Sequence, residues 1–525
     1  MMLSRKSGSL ARLINFMSHT RKIGALFLLV FGFAGAACVA DPLTNGDKSV
    51  ASHHPTHPNV LMIVIDDLND WVGYLGGHPQ ARTPCLDALA AQGTAFANAH
   101  AQAPLCNPSR TSVFSGLRPS TTGIYGLRPG PRQSPVLRDW IMLPQYFSQQ
   151  GYFTACYGKV YHDGAIPAAD RANEFAVFGP APGMPLPGRK FVNTPSNMKA
   201  VDWGVYPLLD SRSCDWITAD NAIAQMATLP KERPFFLAVG FRLPHLPIFA
   251  SQKWFDLFPE DKIVLPPVLY QDRDDTPRFS WYLHWDLPEP RLGWLEKNHQ
   301  WKPLVRAYLA GTSFMDSQIG RLVNALQASG QYTNTIVVLW SDQGWHLGEK
   351  LITGKNSLWD RSTHVPLIFA GPGVARLAIS HEPAELLDIY PTLIDLCGLP
   401  GRAGLEGHSL IPQLRDAQAP RPWPAITTAN AGNSAVRTSR WRYIHYADNS
   451  EELYDERTDS HEWTNLVSDL DYARTKAGLM QSLPVRYADP SPGSAERTLT
   501  YSNGVAFWEG KAIPPDAPIP GLDQD

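Results

Sequence analysis

Asn59-Val60-Leu61-Met62-Ile63-Val64-Ile65-Asp66-Asp67 is an unbroken apolar run that stops abruptly at two aspartates. A half-exposed strand would alternate apolar and polar residues. A continuous run suits a central strand of a parallel sheet, covered on both faces. The same texture recurs at residues 153–157, 234–240 (PFFLAVG), 334–340 (NTIVVLW, followed by Ser341-Asp342) and 365–369. Between these strands, residues 83–93, 143–151, 304–330 and 385–397 carry helical apolar spacing, several with a glycine stop. Strands alternating with helices predict an α/β fold, a central sheet sandwiched by helices. Active sites in such folds lie beyond the carboxyl ends of the strands, where Asp66, Asp67 and Asp342 sit.

The chain has 525 residues, too many for one compact core, and its 44% hydrophobic and 18% charged content is ordinary for a globular protein. A formal net charge of -3 argues against a general nucleic-acid binder, whose affinity comes from a basic surface. Arg21 and Lys22 precede an apolar run, residues 23–39, that ends in small residues Ala34, Gly35, Ala36 and Ala37. That pattern predicts an export signal, with either cleavage after Ala40 or lipidation at Cys38. The run is short for a membrane span and no later segment qualifies, so no stable span is expected after processing. The expected location is periplasmic, extracellular or lipid-anchored at the cell envelope.

The predicted organisation is a signal over 1–40, a linker over 41–57 and a catalytic α/β domain over 58–413. A small C-terminal α+β subdomain over 414–485 and an irregular tail over 486–525 follow. Short strands at 435–446 and 452–454 suggest a meander in the subdomain. Residues 183–197 and 272–295 read as long irregular insertions, of the kind that shape a cleft. His53, His54 and His57 read as linker residues rather than a metal site. The six cysteines, Cys38, Cys85, Cys106, Cys156, Cys214 and Cys397, have no zinc-ligand spacing. With Cys38 in the signal, five remain and one must stay unpaired; Cys106 is the odd one.

Cys106-Asn107-Pro108-Ser109-Arg110 opens a predicted helix. A helix N-terminus presents free N–H groups to an anion, and Arg110 adds a planar fork for oxyanions. On those grounds Cys106 is either a nucleophile with a lowered pKa or a buried structural thiol. Asp66-Asp67 and Asp342-Gln343 form an acidic set whose charges need a cation or protons to coexist. Hard cations such as Ca²⁺ take oxygen ligands of this kind. Alone, an Asp-Asp pair is more often a solvated turn, and Lys159, His162, His245 and Lys355 read as surface loop residues.

CNPSR, within PLCNPSRTSVFSGLRPSTTGIYG, resembles the C-x-P-S-R signature of the type I sulfatases. VLMIVIDDLNDWVGYLGGHPQARTP and VVLWSDQGWHLGEK are similar to that family's two metal-binding segments. GKVYH at 158–162, Leu243-Pro244-His245 and Thr353-Gly354-Lys355 follow in family order. The resemblance spans residues 58–466 and is nearest to the iduronate 2-sulfatase-like branch. It implies an alkaline-phosphatase-like mixed sheet and oxidation of Cys106 to formylglycine by a maturation enzyme. It also implies one Ca²⁺ per chain, held by Asp66, Asp67, Asp342, Gln343 and the modified position 106. Arg110, Lys159 and Lys355 would handle charge, His245 would be the general acid and His162 the base. The implied substrate is a sulfated saccharide, in particular a 2-O-sulfated uronate of a glycosaminoglycan or other polysaccharide.

Two departures stand out. Gln343 replaces the usual Asn or His, and Leu243 replaces a common Lys, with Arg242 adjacent as a substitute. His346 and His364 are assigned structural roles. Two rival functions are a phosphodiester or phosphonate monoester hydrolase on the same fold and a non-catalytic glycan-binding homologue.

Overall fold

The computed structural model of the chain describes residues 57–522, so the expected export signal and Cys38 lie outside the described residues. Eight strands build the central sheet: β1 Asn59–Asp66, β2 Gly93–Phe96, β3 Phe153–Gly158, β4 Val177–Phe178, β5 Phe235–Pro244, β6 Thr335–Ser341, β7 Leu367–Ala370 and β8 Ala378–Ser380. Their spatial order is β8-β2-β7-β6-β1-β5-β3-β4. β1 lies at the centre, parallel to β5 and β6, with Val60 opposite both Phe236 and Ile336. β7 runs antiparallel to β6 and β2, which makes the sheet mixed.

The apolar run of β1 is explained by two cores. Leu61, Ile63 and Ile65 enter the core on one face, and Val60, Met62 and Val64 the core on the other. All six are 0% exposed, so no position along the run tolerates a polar side chain. The helices are α1 Pro84–Ala91, α2 Cys106–Ser115, α3 Leu143–Gln149, α4 Cys214–Met226, α5 Trp301–Ala328 and α6 Ile389–Leu396. α1, α4 and α5 cover the first face and α2, α3 and α6 the second. α5 begins earlier than its apolar spacing suggests, because Pro303 falls in the first turn, where a missing N–H costs nothing. Residues 385–397 do not form one helix. A tight turn, Leu386–Asp388, precedes α6, and Asp388 Oδ2 accepts the Glu385 N–H at 2.9 Å.

After the main sheet comes an antiparallel meander, β9 Ala425–Thr428, β10 Ser434–Arg437, β11 Trp441–His445 and β12 Glu451–Asp455. The last segment differs from the irregular tail expected over 486–525. It folds into β13 Leu499–Ser502, β14 Val505–Trp508 and β15 Lys511–Ile513, an antiparallel sheet. Asn503 (φ 51°) and Gly504 (φ 80°) make the first turn, and Glu509 and Gly510 the second. An Asn-Gly pair at positive φ is a strong short-range hairpin signal, the one local cue to an element that otherwise reads as irregular.

The insertion over 272–295 is also more ordered than expected, containing Phe279–Tyr282 and the start of Leu292–Lys297 as short helices. Phe279, Trp281 and Leu283 of the insertion share a core with Ile444 of β11 and with Leu499, Trp508 and Ile513 of the tail. Ahead of β13 the tail is bound across the chain that follows α2. Leu127 N–H donates to Glu496 O at 3.0 Å, and Arg128 and Ala495 exchange backbone bonds at 3.2 Å. No helix among the described residues is long and apolar enough to cross a membrane.

Candidate active site

β1 and β6 deliver their terminal aspartates side by side. Asp67 adopts φ 62°, which turns the chain out of the sheet immediately after Asp66. Tyr308 of α5 fixes that turn: its hydroxyl donates to Asp67 O at 2.7 Å and accepts the Asn69 N–H at 3.0 Å. Asp342 Oδ1 accepts the backbone N–H groups of Asp67 (3.1 Å) and Gln343 (3.0 Å), and Ser341 Oγ accepts that of Leu68 (2.9 Å). The two strand ends are thereby stitched into one unit.

Cys106 is the first residue of α2 and is buried. Its sulfur lies 3.0 Å from Lys355 Nζ, 3.3 Å from Gln343 Nε2 and 3.5 Å from Asp66 Oδ1. One turn on, Arg110 is wholly buried. It donates from Nε to Asp342 Oδ2 at 2.7 Å, from Nη2 to Asp66 Oδ1 at 3.2 Å, and from Nη1 to the carbonyls of Lys159 and Val160. Ser109 Oγ donates to Asp342 O at 2.5 Å. The Cys-x-Pro-Ser-Arg segment thus locks itself to both acidic strand ends.

Lys159, just past β3, pairs with Asp66 Oδ2, and Lys355 Nζ lies 2.5 Å from Asp67 Oδ1. His245 follows β5, whose end is held by Asp215 of α4 accepting the N–H groups of Arg242 (2.8 Å) and Leu243 (3.0 Å). Its Nε2 is 3.7 Å from Asp67 Oδ2, and the ring is 31% exposed, unlike the carboxylates beneath it. His162 is within the field of Lys159 and Asp66, and its Nδ1 is buried without a partner. The structure therefore brings together Asp66, Asp67, Cys106, Arg110, Lys159, His245, Asp342, Gln343 and Lys355, while His162, three residues past Lys159, makes no direct contact with them. Arg242 does not substitute for a lysine at 243. Its guanidinium closes a bidentate pair with Asp163 (2.7 and 2.8 Å), and Leu243 is fully buried. His346 bonds Ser357 Oγ at 2.9 Å and His364 faces Asp360 at 3.1 Å, both positioning contacts.

Burial raises every carboxyl here, and neighbouring cations decide the outcome. For Asp66 burial is outweighed by Lys159, His245 and Arg110, which hold it well below the usual range. For Asp67 burial wins over Lys355 and His245 and pushes it up to about 6. Burial would likewise raise the Cys106 thiol, but Lys355 and Lys159 outweigh it and the thiol is lowered. Burial, with Lys159 next, brings His245 down to about 4 and His162 to about 3.

The donor set fits a hard cation. One ligand atom each from Asp66, Asp67, Cys106 and His245 lies within 4.8 Å of the others. Asp67 Oδ2 and Gln343 Oε1 are buried acceptors with no hydrogen-bond partner. Carboxylate and amide oxygens suit Ca²⁺ or Mg²⁺ rather than a thiolate-seeking metal. Ser109 sits inside the Cys106 motif and was visible there. Ser341 likewise lies inside the second acidic segment, but Tyr308 and Asp215 were not visible: they act through contacts with distant segments and have no local signature.

A protein-family profile described as Sulfatase matches residues 58–399, and one described as N-sulphoglucosamine sulphohydrolase, C-terminal, matches residues 348–487. A "Sulfatase" of Formosa agariphila is 37% identical over 475 residues, covering 87% of this chain and 91% of its own. Human "Iduronate 2-sulfatase" is 31% identical, covering 70% of this chain and 69% of its own. A solved "2-O GAG sulfatase" is 25% identical with a TM-score of 0.61, covering 81% of this chain and 90% of that one.

Proposed function

This chain belongs to the sulfatase family and is a sulfuric ester hydrolase, and from that premise we propose that it frees sulfate from a sulfated sugar through a formylglycine made from Cys106 and a bound Ca²⁺. The observation that carries the reading is the surroundings of the Cys106 sulfur: Lys355 at 3.0 Å, Gln343 at 3.3 Å and Asp66 at 3.5 Å, at the ends of two parallel-sheet strands. A formylglycine at this position would supply a hydrated aldehyde whose oxygen attacks sulfur and whose collapse expels sulfate, whereas a plain thiol or serine could attack but would leave a stable sulfated enzyme. Asp66, Asp67, Asp342 and Gln343, with position 106, would hold the cation, which when bound would supply positive charge to polarise the sulfate ester.

The chain's own groups do the remaining work. Arg110 has four of its N–H groups occupied by carboxylates and carbonyls, so its role is to hold Asp66 and Asp342 in place rather than to grip substrate. Lys159 and Lys355 neutralise charge on the sulfuryl oxygens as the transition state forms. His245 Nδ1 faces the Leu246 carbonyl and must donate to it, which leaves Nε2 to protonate the leaving oxygen. The negative charge of the substrate favours the imidazolium that this step needs. His162, with Nδ1 free, takes the proton whose loss releases sulfate. The names of the human relative and of the solved neighbour support a 2-O-sulfated uronate as substrate. Residues 21–40 support export, and maturation of Cys106 requires a formylglycine-generating enzyme.

Two results are expected. Dialysis against a chelator should lower kcat by about 100-fold or more, with recovery on adding Ca²⁺; full activity after chelation would remove the cation from the account. His245→Ala should slow hydrolysis of a sugar sulfate by about 10²–10⁴-fold. It should slow 4-nitrophenyl sulfate, whose leaving group needs no proton, far less. Equal losses on both substrates would contradict the general-acid role.

A further inference from the structure

A cavity of about 1070 Å³ is lined in part by Glu289 and Arg497, a residue pair that the mechanism above leaves unused and that touches both neighbours of Lys355. Arg497, from the C-terminal tail, donates from Nη2 to Glu289 Oε1 at 2.8 Å and from Nη1 to Asn356 Oδ1 at 3.1 Å. Asn356 is the residue after Lys355. A Cβ added to Gly354, the residue before Lys355, would come within 3.3 Å of Glu289 Cγ, so the glutamate stem lies directly on this segment. The pair is therefore held against the backbone that carries the lysine nearest the Cys106 sulfur.

Neither partner is saturated. Glu289 is 8% exposed, and its Oε2 is buried with no hydrogen-bond partner. A buried acceptor left empty is costly, which points to a donor that arrives with a ligand. Arg497 spends two of its five side-chain N–H groups on the two bonds above and is 15% exposed. Burial pushes the Glu289 carboxyl up, but Arg497 outweighs it and holds the group ionised at neutral pH.

The rest of the lining indicates what the ligand is. Trp285 and Trp294 offer flat apolar faces. Three basic and four acidic side chains line the cavity, so it has no surplus of positive charge with which to gather a second anion. Aromatic faces with a balanced set of donors and acceptors suit the hydroxyl-bearing edge of a sugar ring.

We propose that Glu289 and Arg497 clamp two neighbouring hydroxyls of the sugar that carries the sulfate, so that the C-terminal tail completes the specificity pocket. One hydroxyl donates to Glu289 Oε2, and the oxygen of the next accepts from the Arg497 guanidinium. This rests on the sulfatase reading above.

The test uses full-length enzyme carrying formylglycine and a panel of 2-O-, 3-O- and 6-O-sulfated hexoses and uronates, with 4-nitrophenyl sulfate as a substrate lacking ring hydroxyls. Glu289→Gln, which keeps the shape, and Arg497→Lys should each lower the preference for the best sugar over the aryl ester by about 10- to 100-fold, mainly through KM. Removing the clamped hydroxyl from that sugar should cost wild type a similar factor and cost Glu289→Gln almost nothing further. Preference retained in both variants, equal losses on sugar and aryl ester, or additive losses with the deoxy sugar would each overturn the clamp. Failure of wild type on every substrate would instead show that the underlying sulfatase reading is wrong.

Discussion

Cys106→Ala should fold as the parent does and lose turnover by about 10⁴-fold or more, the scale set by removing the nucleophile from a covalent mechanism. The fold should persist because the change removes one buried atom near the start of α2 and leaves Arg110 and its four hydrogen bonds intact. A cost of about 1 kcal/mol is expected for the lost contacts. Circular dichroism and thermal melting check the first half of the prediction, and sulfate release from a sugar ester the second. Retained turnover would mean that the chemistry lies elsewhere in the cluster. Loss of fold would mean that Cys106 is a packing residue.

Arg110→Ala should be both inactive and substantially less stable. Asp66, Asp342 and Arg110 all have side chains at 0% exposure. Deleting the guanidinium leaves two buried carboxylates short of a counter-charge and two carbonyls short of a donor. Removing one member of a buried ion pair typically costs about 3–5 kcal/mol, and the effect should show in chemical denaturation of protein without added cation. Arg110→Lys should not rescue it, since a single ammonium cannot span two carboxylates and two carbonyls at once. A stable Arg110→Ala protein would show that the strand ends hold themselves together without this link.

Much of the fold was legible because its signal is local. The runs at 59–65, 234–240 and 334–340 are apolar throughout since both faces of the sheet are covered, and each became a strand. The acidic residues that end two of them were placed correctly at the mouth of the sheet. Cys106, Arg110 and Ser109 form one helical turn and could be found as a unit. What escaped the sequence is what depends on distant contacts. Tyr308 reaches Asp67 from a helix 241 positions away, and nothing near Tyr308 marks it. The segment over 486–525 looked irregular because its strands are short and its hydrophobic partners, Phe279 and Ile444, belong to other parts of the chain. Arg242 was adjacent to the site in sequence, yet Asp163 takes it away from Leu243 and into its own pair.

Mass spectrometry of the peptide containing Cys106, on protein made with a formylglycine-generating enzyme, alongside sulfate release by the same preparation, decides whether the nucleophile is a formylglycine. Conversion of the thiol to an aldehyde, needed for the covalent route, lowers the peptide mass by about 18 Da. This species should be present, and turnover should scale with its fraction. Full turnover by protein in which Cys106 remains an unmodified thiol would contradict it.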